Sequence, residues 1–408
     1  MKDLKIDDNS AGLTEVPGFK TAGVACDIRG LGNDRLDLAL VVSEAPCTAA
    51  GVFTRNVVKA APVLYSSELL DGDGPFRGIV ANSGNANACT GEPGAADARS
   101  MAGLAEEACA LPAGSLFVCS TGRIGRRLPM DRVETGIRAA ARTLASTPEQ
   151  GERAGDAILT SDTCRKTITA RFEHEGKTVT VAGMAKGAGM IEPNMATMLA
   201  FVATDIAAPS GVLGKLLSRS VAESYNAITV DGDMSTNDTV LLLANGSSGL
   251  ELSDLDGALA EKFGGALAAV NDALAGKIVS DGEKITKVVE VAVSGAADAG
   301  DAEKAARTIG NSLLVKSSWY GEDPNWGRIV SSAGASGAAF DPGRMDLFYD
   351  DVPVLRAGSV LPENQSRWKE VVRSKRFAVR LNLHAGNGTF RLLATDLTDG
   401  YVIFNKTE

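Results

Sequence analysis

The chain has 408 residues, of which 44% are hydrophobic and 23% charged, with a formal net charge of −10. This length suits two domains or one large α/β unit with a substantial core, and the composition is typical of a globular protein. The sequence has no block of Lys or Arg, which disfavours nucleic-acid binding. Its polar N-terminus has no secretory signal, and it lacks the ~18 consecutive apolar residues of a membrane span, so we expect no membrane association.

The cysteines and histidines exclude several kinds of site. All six cysteines fall within residues 1–164 and form no CxxC pair, so we expect small, reduced, buried side chains and a cytoplasmic location. The two histidines, His174 and His384, lack partners at metal-ligand spacing. We therefore expect no metal site, and a His-dependent triad would have to use one of these two residues.

Strand-like and helix-like segments alternate along the chain. In chain order, the apolar patterns predict strands at 36–44, 48–54, 77–84, 115–122, 177–185, 198–205, 227–230 and 286–295. Helical spacing predicts helices at 95–110, 129–145, 210–225, 254–279 and 301–315. We expect Gly264 and Gly265 to interrupt the fourth helix, and three or four further strands to end in GYVIFN (400–405). This alternation predicts an α/β fold with mixed layers.

Two polar loops leave alternatives open. DGDMSTND (231–238) resembles the start of a calcium loop, but Thr236 stands where such a loop needs glycine and Leu242 where it needs glutamate. A polar turn and a role in supporting a site both remain open for this loop. CSTGRIG (119–125) follows a predicted strand, and either a tight turn or a loop that aims donors at an oxyanion fits it.

The segment 181–205 contains an isolated cation and an unusual threonine. Lys186 is the only charged residue between Lys177 and Glu192, so it either extends to solvent or points into a site and holds an anion. Thr197 follows several flexible residues and the small Ala196. Packing within a strand is one interpretation of Thr197.

A nucleophilic role is the other interpretation of Thr197. A threonine that attacks its own preceding peptide bond becomes N-terminal once that bond is cleaved. Its α-amine, with a reference pKa of ~7.7–8.0, can then act as the base for its own hydroxyl. Such a nucleophile needs no histidine, which fits a sequence that has so few.

The motif AKGAGMIEPNMATMLAF (185–201) resembles the processing site of the ornithine acetyltransferase family, the arginine-pathway glutamate N-acetyltransferases. The resemblance extends over nearly the whole chain. Matching blocks follow in family order at 18–30, 49–63, 81–91, 120–125, 158–166, 226–238, 280–287, 311–316, 323–328 and 396–405.

The resemblance implies a layered α/β sandwich of the DmpA type, like that of N-terminal-nucleophile hydrolases. It also implies self-cleavage between Ala196 and Thr197 into an α chain (1–196) and a β chain (197–408), associated as α2β2. Thr197 would take acetyl from N-acetylornithine and pass it to glutamate in a ping-pong reaction without a cofactor. Some family members also use acetyl-CoA as the donor.

The resemblance also implies residue roles. Thr121 and Gly122 match the family's oxyanion-hole pair, a hydroxyl and a backbone N–H. The positions that match substrate contacts are Thr163, Lys186, Thr197, Glu283 and Asn405. A lysine suits a substrate carboxylate, and a glutamate suits the ornithine amine.

Several positions depart from the family pattern. Arg123 replaces a small apolar residue, and Lys284 and Ile285 replace two small residues beside Glu283. The given sequence ends three residues after Asn405, so we expect the family's last substrate-binding threonine to have no clear counterpart, since Thr407 lies too close to Asn405 to assign. Two alternatives follow: a paralogue that uses a different acyl donor or acceptor, or an amidase in which water replaces the acceptor amine.

Overall fold

A computed structural model shows an α/β protein and describes residues 3–72, 74–192 and 198–406. Its strands are β1 (Lys5–Asp7), β2 (Phe19–Val24), β3 (Leu38–Phe53), β4 (Phe76–Asn82), β5 (Leu116–Ser120), β6 (Lys166–His174), β7 (Lys177–Lys186), β8 (Leu199–Thr204), β9 (Thr239–Ala244), β10 (Val288–Ala296), β11 (Asp346–Tyr349), β12 (Val352–Arg356), β13 (Ser359–Val360), β14 (Arg376–Asn382) and β15 (Gly388–Thr395).

The α-helices are α1 (Ala61–Leu70), α2 (Gly91–Ala108), α3 (Met130–Thr143), α4 (Pro148–Ala157), α5 (Ser210–Glu223), α6 (Ala258–Ser280), α7 (Ala299–Asn311), α8 (Leu313–Tyr320), α9 (Trp326–Ala335), α10 (Gln365–Val372) and α11 (Asp399–Asn405). Short 3-10 helices cover Gly12–Glu15, Tyr225–Ala227 and Pro362–Asn364. No helix in the described part of the chain combines the length and the apolar character that crossing a membrane requires.

The chain divides into two compact units. The first unit takes the described residues of Met1–Gly187, Pro193–Asn226 and Met234–Ile278. The second unit takes those of Ala188–Glu192, Ala227–Asp233 and Val279–Glu408. The segment on either side of Thr197 and the loop 231–238 are therefore both divided between the units.

The long strand β3 organises the first unit. Its first half pairs with β2 and β4, its second half pairs with β9, and the register shifts between Val42 and Cys47. The strand order is β1-β6-β7-β8-β9-β3-β4-β5, with β2 also paired to β3. One strand thus runs through two sheet portions, and the shift in register marks where one portion gives way to the other.

The two sheet portions of the first unit pack face to face in a layered sandwich. Alternate residues of β3, such as Ala39 and Val41, share one apolar cluster with Phe201 of β8 and Leu241 of β9. The intervening residues of β3 face a second cluster that includes side chains of α2 and α3. On the far side, α6 packs so closely on β7 that a Cβ at Gly183 would lie 2.7 Å from Leu274. The layers are helix, sheet, sheet and helix, as the family resemblance implies.

The second unit is built on a six-stranded sheet in the order β13-β12-β11-β14-β10-β15. Valines and leucines from one face of this sheet form a core with α7, α8 and α9. Within it, Trp319 is fully buried and meets Phe377 edge-on, with ring centroids 6.3 Å apart. On the opposite face Arg391 pairs with Glu290 at 2.7 Å. The alternation of apolar and charged residues in β10 and β15 therefore follows the two faces of the sheet.

Several sequence predictions were wrong in detail. The predicted strands at 36–44 and 48–54 are the single strand β3, because the backbone stays extended through Ala45, Pro46 and Cys47, where the pairing with β4 shifts in register. Residues 227–230 form no strand, only an isolated bridge between Ile228 and Leu393. The motif GYVIFN lies in helix α11, whose first turn is capped by the Thr398 hydroxyl. Helix α6 runs through Gly264 and Gly265 without interruption.

Other elements were missed or differ in exposure. The sequence did not predict helices α1, α4, α9 and α10. Cys89 and Cys164 are exposed rather than buried, although none of the six cysteines, all within the described ranges, forms a disulfide. The predicted helix at 301–315 is two helices, α7 and α8, because Ser312 ends the first and caps the second.

The role of Ser312 can be tested by mutation. Its hydroxyl accepts a hydrogen bond from Val315 N at 3.4 Å, so Ser312→Ala should lower the free energy of unfolding by about 1 kcal/mol. Ser317→Ala removes an exposed hydroxyl within α8 and should stay within about 0.5 kcal/mol of wild type. Urea unfolding of both variants measures the difference, and equal losses would contradict a capping role.

Candidate active site

The loop after β5 approaches another backbone segment very closely. Thr121 N donates to Asn82 O at 3.0 Å, which aligns the loop with the end of β4. The next residue, Gly122, has a φ of +134°, and a Cβ there would lie 2.3 Å from the carbonyl carbon of Gly84. Only glycine fits both the backbone angle and the contact.

Buried asparagines and a serine hold this loop in place. Asn237 donates from its one amide nitrogen to Ala86 O at 2.7 Å and to Ser120 O at 2.8 Å. Asn82 bonds Asn85 O at 2.9 Å and accepts from the Ser120 hydroxyl at 2.6 Å. These buried hydrogen bonds fix the geometry of the loop, which is the condition for preorganised electrostatic stabilisation.

Two donors in this loop are unused. Within the described ranges, neither the Gly122 N–H nor the Thr121 hydroxyl makes a hydrogen bond, although Thr121 is only 3% exposed. Adjacent, unengaged donors on a rigid backbone suit an anion that forms transiently at that place. The geometry favours the oxyanion-loop interpretation over a simple turn, and the role of the two residues stays a prediction.

Lys186 ends β7 in a buried ionic cluster. Its side chain is 2% exposed, and its Nζ lies 3.9 Å from Asp162 Oδ2. Asp162 Oδ1 accepts from Lys166 Nζ at 2.7 Å and from Gly187 N at 2.6 Å. Burial alone would raise the pKa of Asp162, but Lys186 and Lys166 outweigh it and hold the pKa well below its usual range. Lys186 therefore does not extend to solvent.

Three further predicted residues belong to the first unit. One is adjacent in sequence to the ionic cluster, and two lie outside the described residues. Thr163 is exposed and directly follows Asp162 in the turn before β6. Ala196 and Thr197 lie outside the described residues. The next residue, Met198, donates its N–H to Asp238 Oδ1 at 2.8 Å.

The second unit brings Glu283 and Asn405 together. Asn405, at the end of α11, donates to Glu283 Oε2 at 2.9 Å, and Glu283 N donates to Ala188 O at 2.9 Å. A Cβ at Gly189 would lie 2.4 Å from the Glu283 carboxyl group, so this glycine lets the carboxylate lie directly on the backbone. The acidic and amide groups form one polar pair that could bind an ammonium group.

The two cationic departures differ in their surroundings. Lys284 Nζ lies 5.1 Å from the centre of the Phe404 ring, a cation–π contact with α11. Arg123 is exposed in the loop that contains Thr121 and Gly122. Lys284 therefore contributes to packing the C-terminal helix of the second unit.

Sequence reasoning missed Asp162, Asn237 and Asp238. Asn237 and Asp238 lie in the loop 231–238, where a supporting role had been left open. The sequence signal that could have identified these two residues is a run of polar side chains directly before an apolar strand. Asp162 gave no signal because its partners, Lys166 and Lys186, are brought together only by the pairing of β6 with β7.

Removing the Asp162 carboxylate tests the buried ionic cluster. Asp162→Asn should lower the free energy of unfolding at neutral pH by about 3–5 kcal/mol, because two buried ammonium groups lose their counter-ion. The folded pKa of Asp162 lies below the unfolded value of ~3.9, so its stabilisation is complete above about pH 4 and declines as the pH falls. Denaturation from pH 7 to pH 3 should thus show the two proteins converging in stability.

A matched control is Asp156→Asn. Asp156 pairs with Arg165 at 2.9 Å, but its side chain is 40% exposed, so the loss should be about 0–1 kcal/mol. A pH-independent difference between wild type and Asp162→Asn would contradict the charged state assigned to Asp162.

Comparisons with known proteins cover the chain almost completely. The ArgJ family model matches residues 20–407. The arginine biosynthesis bifunctional protein ArgJ of Symbiobacterium thermophilum is 49% identical over 97% of this chain and 98% of its own length. The protein of the same name from Thermotoga neapolitana is 46% identical over 95% of this chain and 98% of its own.

Solved structures give partial matches. A crystal structure of ornithine acetyltransferase from Mycobacterium tuberculosis, complexed with ornithine, is 42% identical and matches 47% of this chain and 98% of that one, with a TM-score of 0.44. The L-aminopeptidase D-Ala-esterase/amidase of Ochrobactrum anthropi is 12% identical over 69% of this chain and 90% of that one, with a TM-score of 0.42. The family match and the near-full-length identities place the chain in the ArgJ family of arginine biosynthesis acyltransferases.

Proposed function

We propose that the chain is an ornithine acetyltransferase that uses Thr197 to move acetyl from N-acetylornithine to glutamate. As a member of the ArgJ family it is an acyltransferase of arginine biosynthesis. The structural observation that carries the proposed mechanism is that the Thr121 hydroxyl and the Gly122 N–H have no partner among the described residues, on a loop that Asn237 holds in place. Acyl transfer passes through a tetrahedral oxyanion, and such donors stabilise it more than they stabilise the substrate.

The proposed reaction has two halves. The Thr197 hydroxyl attacks the acetyl carbonyl of N-acetylornithine, and its proton passes to the Thr197 α-amine. The negative oxygen accepts hydrogen bonds from Thr121 and Gly122. The C–N bond then breaks, and the proton leaves with ornithine. In the second half, the amine of glutamate attacks the acetyl ester, which releases N-acetylglutamate and restores the threonine.

Charged side chains supply the proposed substrate contacts. Lys186 is assigned to a substrate carboxylate, because its buried ammonium group carries the opposite charge and can donate hydrogen bonds to it. Glu283 is assigned to the ornithine amine, with Asn405 orienting its carboxylate. Thr163 is assigned to the substrate as a hydroxyl contact.

The nucleophile requires a free α-amine, so we propose self-cleavage between Ala196 and Thr197. The products are an α chain of residues 1–196 and a β chain of residues 197–408. Their association as α2β2 follows the family pattern, and six described cysteines without a disulfide suit the reducing cytoplasm.

Intact-mass spectrometry tests cleavage, nucleophile and donor together. The wild type should give two chains, and N-acetylornithine should add one acetyl group to the β chain only. Addition of glutamate should remove it. Thr197→Ala should leave one full-length chain without acetyl. Cleavage without acetylation would reject N-acetylornithine as donor, and rapid loss of acetyl without glutamate would favour the amidase alternative.

The oxyanion role of Thr121 has a separate kinetic test. Thr121→Ala should lower kcat by roughly 10²–10³ with little change in KM, because the lost hydrogen bond forms mainly in the transition state. Thr121→Ser keeps the hydroxyl and should recover most of the rate. Thr135→Ala removes an exposed hydroxyl on α3 and serves as the control. Equal kcat values for Thr121→Ala and wild type would exclude the role.

A further inference from the structure

We infer that the loop 231–238 positions the proposed cleavage segment, with Asp231 holding the chain before it and Asp238 holding the chain after it. This inference rests on the proposed self-cleavage between Ala196 and Thr197. Neither aspartate was assigned a role by the sequence, and neither belongs to the substrate contacts proposed above. Both act on the backbone that flanks residues 193–197.

Asp231 binds the backbone before the proposed cleavage segment with both carboxylate oxygens. Its Oδ2 accepts from Met190 N at 2.6 Å, and its Oδ1 accepts from Ile191 N at 2.7 Å. The Tyr401 hydroxyl donates to Oδ2 at 3.2 Å and orients the carboxylate. Two short bonds from consecutive backbone N–H groups to one carboxylate fix the direction in which the chain continues towards residue 193.

Neighbouring backbone groups also form hydrogen bonds with residues 191 and 192. Val230 N donates to Ile191 O at 2.7 Å, and Glu192 N donates to Asp233 O at 2.9 Å. The Glu192 side chain pairs with Arg307 at 3.0 Å. Residues 190–192 are therefore bound at successive backbone positions by the start of the loop.

Met190, which donates to Asp231, has a strained backbone angle. Met190 has a φ of +58°, a left-handed angle that costs free energy for any side chain other than glycine. Such a conformation persists only where the surroundings impose it. The two hydrogen bonds to Asp231 begin at this residue, so the carboxylate is what imposes the angle.

Asp238 binds the backbone after the proposed cleavage segment. It is completely buried, and its Oδ1 accepts from Met198 N at 2.8 Å, while Thr239 N donates to Met198 O at 3.1 Å. Met198 is the residue after Thr197, so both of its backbone hydrogen-bonding groups are fixed next to the proposed nucleophile. Asp238 Oδ2 is buried and has no hydrogen-bond partner among the described residues.

The chemistry explains why both flanks need to be held. Attack by a threonine hydroxyl on its own preceding carbonyl requires a backbone far from the relaxed extended form. Misplacement of reacting atoms by 1 Å can cost about 10²-fold in rate.

Substitutions of the two aspartates test the inference. Asp231→Asn keeps the shape but turns one of its two engaged oxygens into an N–H₂ donor, and Asp238→Leu removes the oxygen that accepts from Met198 N. Each should slow conversion of the newly translated precursor into two chains by about tenfold or more. Glu106→Gln is the matched control, since Glu106 is 4% exposed and accepts backbone bonds from Ser115 N at 2.7 Å and Leu116 N at 3.1 Å, far from the segment in the chain. It should cleave at the wild-type rate.

Local hydrogen exchange separates positioning from general destabilisation. In the uncleavable Thr197→Ala chain, adding Asp231→Asn should speed amide exchange in residues 188–192 and leave α7 unchanged. Faster exchange throughout the second unit would show a structural role instead, and unchanged exchange at 188–192 would show that Asp231 does not hold the segment.

The outcomes distinguish the two proposals. A wild-type chain that never cleaves refutes the proposed self-cleavage. If the wild type cleaves and both aspartate variants cleave at the wild-type rate, the positioning role alone is refuted. If one variant does not fold, the cleavage rate of the other decides.

Discussion

The close approach of Gly122 to the backbone of Gly84 is the constraint on which the proposed chemistry depends. It turns the chain so that the Thr121 hydroxyl and the Gly122 N–H are left without partners in the described structure. Asn237 and Asn82 hold the loop through hydrogen bonds to carbonyl groups on both sides of the turn. The position of the two donors is thus set by hydrogen bonds that other groups make.

A second constraint is electrostatic. Lys166 and Lys186 are both buried in the first unit, and Asp162 is the carboxylate placed between them. Burying two like charges is unfavourable unless counter-ions compensate, and Asp162 is a buried carboxylate that contacts both cations. The position of Lys186 at the end of β7 therefore depends on the turn that carries Asp162.

The sequence predicted the α/β class, the helices α2, α3 and α5, and the residues of the candidate site. These features follow from local periodicity or from motifs with a strict spacing. It did not predict that β3 would join two sheet portions, because a bend within one strand leaves no mark in the apolar pattern. It placed GYVIFN in a strand because three apolar residues in a row fit either state, and only the Thr398 cap decides for a helix. Asp162 could not be found because its partners meet through sheet pairing.

The loop 231–238 shows how one composition serves different purposes. Its aspartates and asparagines resemble a calcium loop, in which side-chain oxygens would converge on a cation. Here the oxygens of Asp231 and Asp238 instead accept backbone N–H groups from residues 190, 191 and 198. Each backbone N–H group donates one hydrogen bond in one direction, whereas a cation accepts many ligand geometries. A carboxylate that accepts from backbone N–H groups can therefore specify the path of the chain. That property suits a loop whose two ends belong to different units and whose partners flank the proposed scissile bond.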